Sequence, residues 1–431
     1  MRLTFFGGAQ EVGRASVLLE EKRKNLMFDC GIKFGEKTEY PLIHDDELKR
    51  IRNITISHAH LDHSGYLPHV YSKNIKPKIF LTKPTRDLMG ILLADYHRLH
   101  TSGRKRLFTI KDVENVMKDA RIVEYNEPFT SDFRITFHPA GHVMGSAMTL
   151  VKGDERNVLF TGDICMRKTR VLDPCEKNLT ADTLIVESTY GGREDIIPSY
   201  KESYQKLVTL INQTLDRGGH VIIPSFAVGR AQEVLLALDD YMRSGTLRHA
   251  RIYIEGMIGK TMKVYRHNAI YANDDIKKRI LMSEDDPFNS PNFHRARTKT
   301  REDVLKEPSI IVTTSGMITG GPVHFYLEKL GNDPINSMIF VGYQARGTPG
   351  EKIVNGEKCI RIRDKEIELK LKVEKVRISG HADYNELLQF IRSVKGLKKI
   401  FIMHGEKTDL KDALEKDYEV TIPRLLETYS I

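Results

Sequence analysis

The residues best suited to chemistry lie in one short stretch, Ile54–Tyr66, where His58, His60, Asp62 and His63 form an H-x-H-x-D-H cluster. Imidazole and carboxylate groups together suit zinc or a similar first-row metal. Four such side chains in so short a loop exceed what one tetrahedral ion readily accepts. The cluster therefore predicts two ions a few ångströms apart, as in hydrolytic two-metal sites.

The H-x-H-x-D-H cluster directly follows a short predicted strand. A histidine-rich solvated loop is the alternative interpretation, but a predicted strand and a glycine-containing turn enclose the cluster, which is the setting of a metal loop. The same setting recurs at Asp29, His142, Asp163 and Glu187, each of which lies just past an apolar strand. Reactive groups gather at the carboxyl ends of strands in layered α/β proteins, so these residues are candidates for the same site.

Apolar runs predict two α/β regions. In the first region the predicted strands cover residues 2–6, 16–20, 25–28, 54–57, 79–81, 133–139, 147–151, 157–161 and 183–186. Helices are predicted at 86–97 and at 111–120, where Thr109 is the expected N-cap. The second region begins near residue 195. It alternates helices with strands (198–217, 220–223, 230–242, 252–255, 309–313 and 337–341), which predicts a mostly parallel sheet flanked by helices.

The C-terminal part returns to the chemistry of the first region. Residues 352–376 alternate with the period of a strand and carry many charges, which predicts two exposed hairpin strands. After them we expect a helix at 384–394, a strand at 399–403, a helix at 410–416 and a strand at 420–422. Because His381 and His404 bring ligand-type side chains back after the middle region, the first domain is predicted to be discontinuous.

Composition narrows the class of protein. A chain of 431 residues with 40% hydrophobic residues can bury sizeable cores, and its length favours two or three domains. No apolar run reaches the length of a membrane span, and no cleavable signal is expected at the N-terminus. Four scattered cysteines argue against a disulfide framework and favour a reducing cytoplasm. The net charge of +9 is typical of a protein with a polyanionic partner such as nucleic acid.

Five motifs in this order carry a specific resemblance: Ser57–His63, Gly141–His142, Gly162–Asp163, Ser379–Asp383 and Met403–Glu406. They resemble the metallo-β-lactamase superfamily and, more narrowly, its β-CASP nucleases. The pairing of the H-x-H-x-D-H cluster with a C-terminal His-Gly-Glu is most similar to archaeal relatives of the nuclease subunit of the cleavage and polyadenylation specificity factor. The N-terminal KH-like domains of some relatives are not expected here.

The resemblance implies a fold and a domain order. The expected fold is an α/β fold in which an αββα metallo-β-lactamase sandwich carries an inserted β-CASP domain. The inserted domain corresponds to the mostly parallel sheet flanked by helices. The metallo-β-lactamase domain is expected at residues 1–192 and 351–431, and the β-CASP domain at residues 193–350.

The resemblance also implies two Zn²⁺ ions per chain, with a hydroxide and one carboxylate bridging them. The expected ligands are His58, His60 and His142 for one ion, Asp62, His63 and His404 for the other, and Asp163 as the bridge. Asp29 resembles the carboxylate that orients a ligand, a role that metal sites commonly need.

Glu187 and His381 resemble two further β-CASP motif residues. As a carboxylate–imidazole pair, Glu187 is expected to raise the pKa of His381 and to fix its tautomer. His381, as imidazolium, is then the expected proton donor to the departing 3′-oxygen. With Asp62 and Asp163, these two residues make up the expected catalytic set.

The implied function is hydrolysis of RNA phosphodiester bonds by a hydroxide that two metal ions make available. It belongs to RNA processing, 3′-end formation or decay. Endonucleolytic and 5′–3′ exonucleolytic action both stay open, as do single-stranded RNA and single-stranded DNA as substrates. A homodimer and an RNA-processing complex are implied, and a membrane partner is not.

Two alternative functions compete with RNA hydrolysis. One is a small-molecule metallo-hydrolase of the same superfamily, against which the long insertion and the Glu187–His381 pair argue. The other is a non-catalytic RNA-processing scaffold, against which the complete set of expected ligands argues.

The inserted region supplies candidate substrate contacts. Small-residue loops that follow its strands are suited to close approach by phosphates, with a helix N-terminus beside one of them. The candidate residues in these loops are Ser225, Gly229, Arg230, Ser315, Gly316 and Gln344. The basic runs 104–106 and 295–301 are candidates for tracking an RNA strand, with a solvated face as the alternative. Phe288, Phe293 and Tyr343 are candidates for base stacking.

Overall fold

The computed structural model of the protein describes residues 1–35, 37–99, 107–283, 285–362 and 365–431. The chain divides into two compact units. The first unit contains Met1–Lys168, Leu172–Ile196 and Gly380–Ile431, and the second contains Thr169–Val171 and Ile197–Ser379. None of the helices in the described ranges has both the length and the hydropathy that crossing a membrane requires.

Strands and helices are numbered here along the whole chain. The strands are β1 Arg2–Gly7, β2 Ser16–Glu21, β3 Lys24–Phe28, β4 Asn53–Thr55, β5 Lys78–Leu81, β6 Arg121–Ile122, β7 Phe129–Thr130, β8 Arg134–Pro139, β9 Ala147–Lys152, β10 Asn157–Phe160, β11 Thr183–Glu187, β12 Val221–Pro224, β13 Arg251–Glu255, β14 Phe293–Arg295, β15 Ser309–Thr313, β16 Ser337–Phe340, β17 Cys359–Ile362, β18 Lys365–Glu368, β19 Lys372–Lys375, β20 Lys399–Met403, β21 Glu419–Thr421 and β22 Thr428–Ser430.

The helices are α1 Asp45–Leu48, α2 Leu61–Ser64, α3 Leu67–Ser72, α4 Lys83–Leu99, α5 Ile110–Asp119, α6 Tyr200–Asp216, α7 Arg230–Arg243, α8 Ile258–His267, α9 Asp274–Met282, α10 Arg301–Val304, α11 Val323–Leu330, α12 Pro349–Val354, α13 Tyr384–Ser393 and α14 Asp409–Leu414. Most predicted elements are present with shifted ends. Helix α4 starts before the predicted residue 86 because Pro84 lies in its first turn, where the missing N–H costs no hydrogen bond. Thr109 caps α5 as predicted, and its hydroxyl accepts from Asp112 N.

The first unit is built on two sheets. One has the strand order β22-β1-β2-β3-β4-β5-β6 and the other the order β21-β20-β11-β10-β9-β8-β7. Apolar side chains of both sheets form one shared core, in which the Phe28 and Phe160 rings stack with centroids 5.0 Å apart. Helices α13 and α14 pack on the second sheet through Leu387, Phe390 and Leu410. Helix α5 contacts β5, α3 and α4 beside the first sheet, so the predicted αββα sandwich is confirmed.

Parallel pairing explains why the candidate ligands gather within this unit. Strands β3, β4 and β5 are parallel neighbours in one sheet, and β10, β11 and β20 are parallel neighbours in the other. Parallel neighbours end at the same edge of a sheet. Asp29, the H-x-H-x-D-H loop, Asp163, Glu187 and His404 each lie at or just past the carboxyl end of one of these strands.

The second unit contains a sheet of order β14-β13-β15-β12-β16-β19, and every pairing in it is parallel. Its core combines sheet residues such as Ile311 and Met338 with Val323 and Tyr326 of α11. The prediction of a mostly parallel sheet flanked by helices is therefore confirmed.

The prediction for residues 352–376 is wrong in part. Residues 349–354 form α12, and only β17 and β18 make a hairpin. Strand β19 instead extends the parallel sheet beside β16. The hairpin is also not fully exposed, because Ile360, Ile362 and Ile367 pack into the core of this unit. These contacts place residues 351–379 in the second unit, whereas residue 351 was the predicted start of the completing segment.

Candidate metal centre

The loop after β4 is shaped by Asp29. The backbone N–H and the hydroxyl of Ser57 donate to the Asp29 carboxylate at 2.7 and 2.8 Å. Strand β4 therefore stops at Thr55, before the predicted end at residue 57, because Ser57 N bonds a side chain rather than a neighbouring strand. Asp29 itself has a left-handed backbone (φ 58°), which is uncommon outside glycine and typical of functional sites. Helix α2 then carries Asp62 and His63 in its single turn.

Three imidazoles and a carboxylate form a first ligand group. Nδ1 of His60 lies 3.1 Å from Nε2 of His58 and 3.3 Å from Nε2 of His142. Oδ2 of Asp163 lies 3.6 and 3.7 Å from the same two Nε2 atoms. A tetrahedral ion with bonds of 2.0–2.1 Å separates its ligand atoms by about 3.3 Å. The spacing of this group therefore fits one zinc-sized ion.

Asp62, His63 and His404 form a second group. Oδ2 of Asp62 lies 3.9 Å from His63 Nε2 and 3.6 Å from His404 Nε2. Asp163 borders this group as well, since its Oδ2 is 3.4 Å from His63 Nε2. Within the described part of the chain, His63 Nε2, His404 Nε2 and Asp163 Oδ1 are buried without a hydrogen-bond partner. Buried polar atoms are rarely left unsatisfied, so the unpartnered nitrogens of His63 and His404, together with Asp62, suit a cation.

Three further ring nitrogens, those of His63, His142 and His58, contact groups outside the ligand set. Nδ1 of His63 lies 2.6 Å from Asp29 Oδ2, and Nδ1 of His142 donates to the carbonyl oxygen of Gly380 at 2.8 Å. Nδ1 of His58 lies 3.1 Å from the Ser57 hydroxyl. Metal-binding histidines almost always use their second nitrogen in this way, because the contact fixes the tautomer and the direction of the ring.

Burial and charge set the protonation of the cluster. Burial lowers the pKa of His58 and of His142 well below the usual value, which favours the neutral imidazole that binds metals. Burial also opposes charge on His63, but Asp163, Asp29 and Asp62 outweigh it and hold its pKa well above the usual value. The pKa of the Asp163 carboxyl is well below its usual range despite burial, because His63 and other imidazoles surround it.

Glu187 and His381 form a pair beside the first group. Nδ1 of His381 lies 3.2 Å from both carboxylate oxygens of Glu187 and 3.9 Å from Asp163 Oδ2. Glu187 is buried and accepts from Ile164 N at 2.8 Å, directly after Asp163. The His381 side chain is 17% exposed, so solvent reaches it, whereas His58, His63, His142 and His404 are buried.

The structure also brings together some of the candidate substrate loops, all in the second unit. Gln344 Nε2 donates to the carbonyl oxygen of Gly316 at 2.9 Å. A Cβ at Gly316 would lie 2.9 Å from Phe226 N, so the loops after β12 and β15 are in close contact there. Ser225 is buried, and its hydroxyl faces the carbonyl oxygen of Ile223 at 3.5 Å.

Two further candidates have specific surroundings in the same unit. The Gly229 N–H donates to Gln232 Oε1 at 2.8 Å, so the helix itself already uses this donor. In the described residues, Arg230 Nε has no hydrogen-bond partner.

Other sequence predictions fare differently. Phe288 is 5% exposed and packs against Tyr265, so its proposed role in base stacking is wrong. The basic run 104–106 lies outside the described residues. In the run 295–301, Arg301 pairs with Glu255 at 2.5 Å, whereas Arg295 and Arg297 are exposed.

Comparisons with known proteins identify the family to which this chain belongs. The family model described as the Beta-Casp domain matches residues 231–353, and the Zn-dependent metallo-hydrolase RNA specificity domain matches residues 366–423. A model of the anti-Pycsar protein Apyc1 matches residues 1–212. The transcription termination factor FttA of Methanothermobacter thermautotrophicus is 37% identical over 457 residues, covering 100% of this chain and 72% of the relative. The chain belongs to the β-CASP family of the metallo-β-lactamase superfamily.

Two further matches agree with membership of the β-CASP family. An RNase J-like protein of Methanocaldococcus jannaschii is 37% identical over 410 residues, covering 94% of this chain and 92% of the relative. A solved structure of a protein of unknown function from Enterococcus faecalis V583 has a TM-score of 0.60 at 13% identity and covers 99% of both chains. At that identity it shows similarity of fold alone. The matched domains and relatives together support a zinc-dependent RNA-processing nuclease, and the predicted relationship to archaeal members is confirmed.

Sequence reasoning about this β-CASP chain missed the residues that hold the ligands from outside. The Ser57 hydroxyl contacts Asp29, and the carbonyl oxygen of Gly380 contacts His142. The segment Ser188–Thr189 contacts the backbone and the ring around His404. Their only signal in the sequence is a small polar residue or glycine beside a candidate ligand, which is too common to be specific.

Proposed function

We propose that this β-CASP protein holds two zinc ions and hydrolyses RNA phosphodiester bonds, leaving a 3′-hydroxyl and a 5′-phosphate. One observation carries the proposal: two ligand groups border the Asp163 carboxylate, and the Glu187–His381 pair lies beside it. Two divalent ions lower the pKa of a water and offset charge that develops on the phosphate. The names of the relatives, a transcription termination factor and an RNase J-like protein, support RNA as the substrate.

The residues of the chain have distinct proposed roles in this reaction. His58, His60 and His142 would hold one ion, and Asp62, His63 and His404 would hold the other. Asp163 lies where its carboxylate could serve both ions, and Asp29 orients His63 through the 2.6 Å contact.

Glu187 and His381 act on the leaving group. As the phosphorus–3′-oxygen bond breaks, His381 donates its proton to that oxygen, and solvent at its exposed side returns one. Glu187 keeps the proton on the imidazole by holding Nδ1.

The loops of the second unit are proposed to bind the phosphates of the substrate backbone. Gln344 contacts Gly316 beyond the carboxyl ends of β15 and β16, Ser315 precedes Gly316, and small residues there allow close approach. Ser225, Gly229 and Arg230 follow β12, and of these three residues the Arg230 guanidinium is the natural partner of a phosphate.

We also propose a homodimer and participation in an RNA-processing complex, which the mass of the purified protein with and without RNA would test.

The direct test of the function uses single-stranded RNA with a label at either end, and a circular RNA of the same sequence. We expect cleavage with zinc present, and its loss after chelation with recovery when zinc is restored. Cleavage of the circle identifies endonuclease action, whereas products that appear only from the 5′ end identify exonuclease action. Absence of metal-dependent cleavage of every substrate would contradict the proposal. Hydrolysis of thioester or lactone substrates instead would identify a small-molecule hydrolase.

A separate prediction concerns RNA affinity. Arg295, Arg297 and Lys299 are exposed, and no described carboxylate lies within ion-pair distance of them. If they contact phosphates, replacing all three by glutamine should weaken RNA binding. It should also flatten the slope of log affinity against log salt by about 2, because each phosphate contact on a single strand contributes about 0.7. Fluorescence anisotropy with labelled RNA at several salt concentrations measures this slope.

A matched control for this variant comes from the first unit. Lys111, Lys118 and Lys416 are likewise exposed and likewise have no described carboxylate within ion-pair distance. Replacing them by glutamine removes the same charge and should leave the slope close to that of the wild type. Equal slopes for both triple variants would show that residues 295–299 are a solvated surface only.

A further inference from the structure

The segment that follows β11 lies beside the end of β20. Strands β11 and β20 are parallel neighbours, and Glu187 is opposite Met403 in their register. Ser188 and Thr189 therefore leave the sheet next to His404, although 215 positions separate Thr189 from it in the chain.

Ser188 holds the backbone just before His404. Its hydroxyl donates to the carbonyl oxygen of Met403 at 2.9 Å, and the side chain is buried. A Cβ at Gly405 would overlap the carbonyl oxygen and the hydroxyl of Ser188, so only glycine allows this approach. On the other side, His404 N donates to Gly8 O at 2.7 Å. These contacts hold His404 in a left-handed conformation (φ 54°), which a non-glycine residue seldom adopts without such support.

Thr189 holds the ring of His404. Its hydroxyl lies 3.3 Å from Nδ1 of His404 and 3.4 Å from the His404 carbonyl oxygen. A hydroxyl that donates to the carbonyl oxygen accepts from an N–H at Nδ1. That arrangement leaves the lone pair on Nε2, which is the buried atom that faces Asp62 Oδ2 at 3.6 Å. Oδ1 of Asp163 is 3.4 Å from the same Nδ1 but has no hydrogen-bond partner among the described residues.

We infer that Ser188 and Thr189 are positioning residues for His404. They thereby set the affinity of the second ligand group, Asp62, His63 and His404, for its metal ion. This inference rests on the proposed two-metal function. The preceding residue, Glu187, holds His381, so one continuous segment positions both the proton donor and a ligand from the far end of the chain. Residues that orient a metal ligand typically change metal affinity 10–100-fold when they are replaced.

The test compares Thr189→Val with Thr189→Ser. Valine has the shape of threonine without its hydroxyl, whereas serine keeps the hydroxyl. We expect Thr189→Val to release one of two zinc ions at about 10–100-fold lower chelator concentration, with the other ion held as in the wild type. Thr189→Ser should keep both ions. Metal content after dialysis against graded chelator, with circular dichroism as a check of folding, measures this without any substrate.

Thr183→Val is the matched control. Thr183 is a buried residue of β11 whose hydroxyl has no hydrogen-bond partner among the described residues, so its loss should not affect either ion. Ser188→Ala provides a second variant, with the same expected loss of one ion, if Thr189→Val does not fold. The inference would be overturned if the folded variants Thr189→Val and Ser188→Ala retained both ions as the wild type does. It would also be overturned if Thr189→Val and Thr189→Ser lost metal equally. A wild-type protein that binds no metal would instead overturn the proposed function.

Discussion

Replacing His381 by alanine should lower the rate of RNA cleavage about 10²–10⁴-fold, the usual contribution of a positioned general acid. Metal content should not change, because His381 Nδ1 contacts the Glu187 carboxylate and His381 belongs to neither of the two proposed zinc-ligand sets. Single-turnover cleavage of end-labelled RNA gives the rate, and elemental analysis of the same preparation gives the metal content. The combination separates loss of a proton donor from loss of an ion.

His138 offers a control for this variant. It also lies in the first unit and has its own carboxylate partner, with Nδ1 3.1 Å from Glu176 Oε2. Neither residue belongs to a ligand group. His138→Ala therefore removes a similar imidazole–carboxylate pair and should leave cleavage near the wild-type rate. Wild-type turnover by His381→Ala would remove His381 from the mechanism.

Asp163→Asn should have the second large effect. The carboxylate is 2% exposed and lies within 3.7 Å of nitrogens of both ligand groups. An amide of the same shape lacks the charge and one acceptor oxygen. We expect fewer than two ions per chain and a rate lower by about 10³-fold or more, because metal ions contribute several kcal/mol to transition-state stabilisation.

Asp182→Asn is the corresponding control. Its carboxylate accepts from Asn157 N at 2.9 Å in the same unit and belongs to no ligand group, so metal content should stay the same. If Asp163→Asn kept both ions and the wild-type rate, the proposed sharing of that carboxylate would be wrong.

The order of motifs along the chain was sufficient to predict the family and the fold. Each candidate ligand follows a strand, and parallel strands end together, so local pattern and topology lead to the same result. The partner of a strand is harder to predict. Residues 372–375 alternate as a hairpin strand would, yet β19 joins the parallel sheet, because a period of two does not identify the neighbouring strand. Contacts such as Thr189 with His404 depend on the completed fold and have no local signature.

The division of the first unit along the chain has a consequence for synthesis. Gly380–Ile431 supplies His381 and His404 to a site whose other side chains precede residue 196. A growing chain that has passed the H-x-H-x-D-H loop still lacks His381 and His404 until residues 380–404 have been translated. The second proposed ligand group is complete only once His404 has been translated, so the proposed cleavage should depend on residues that follow the second unit in the chain.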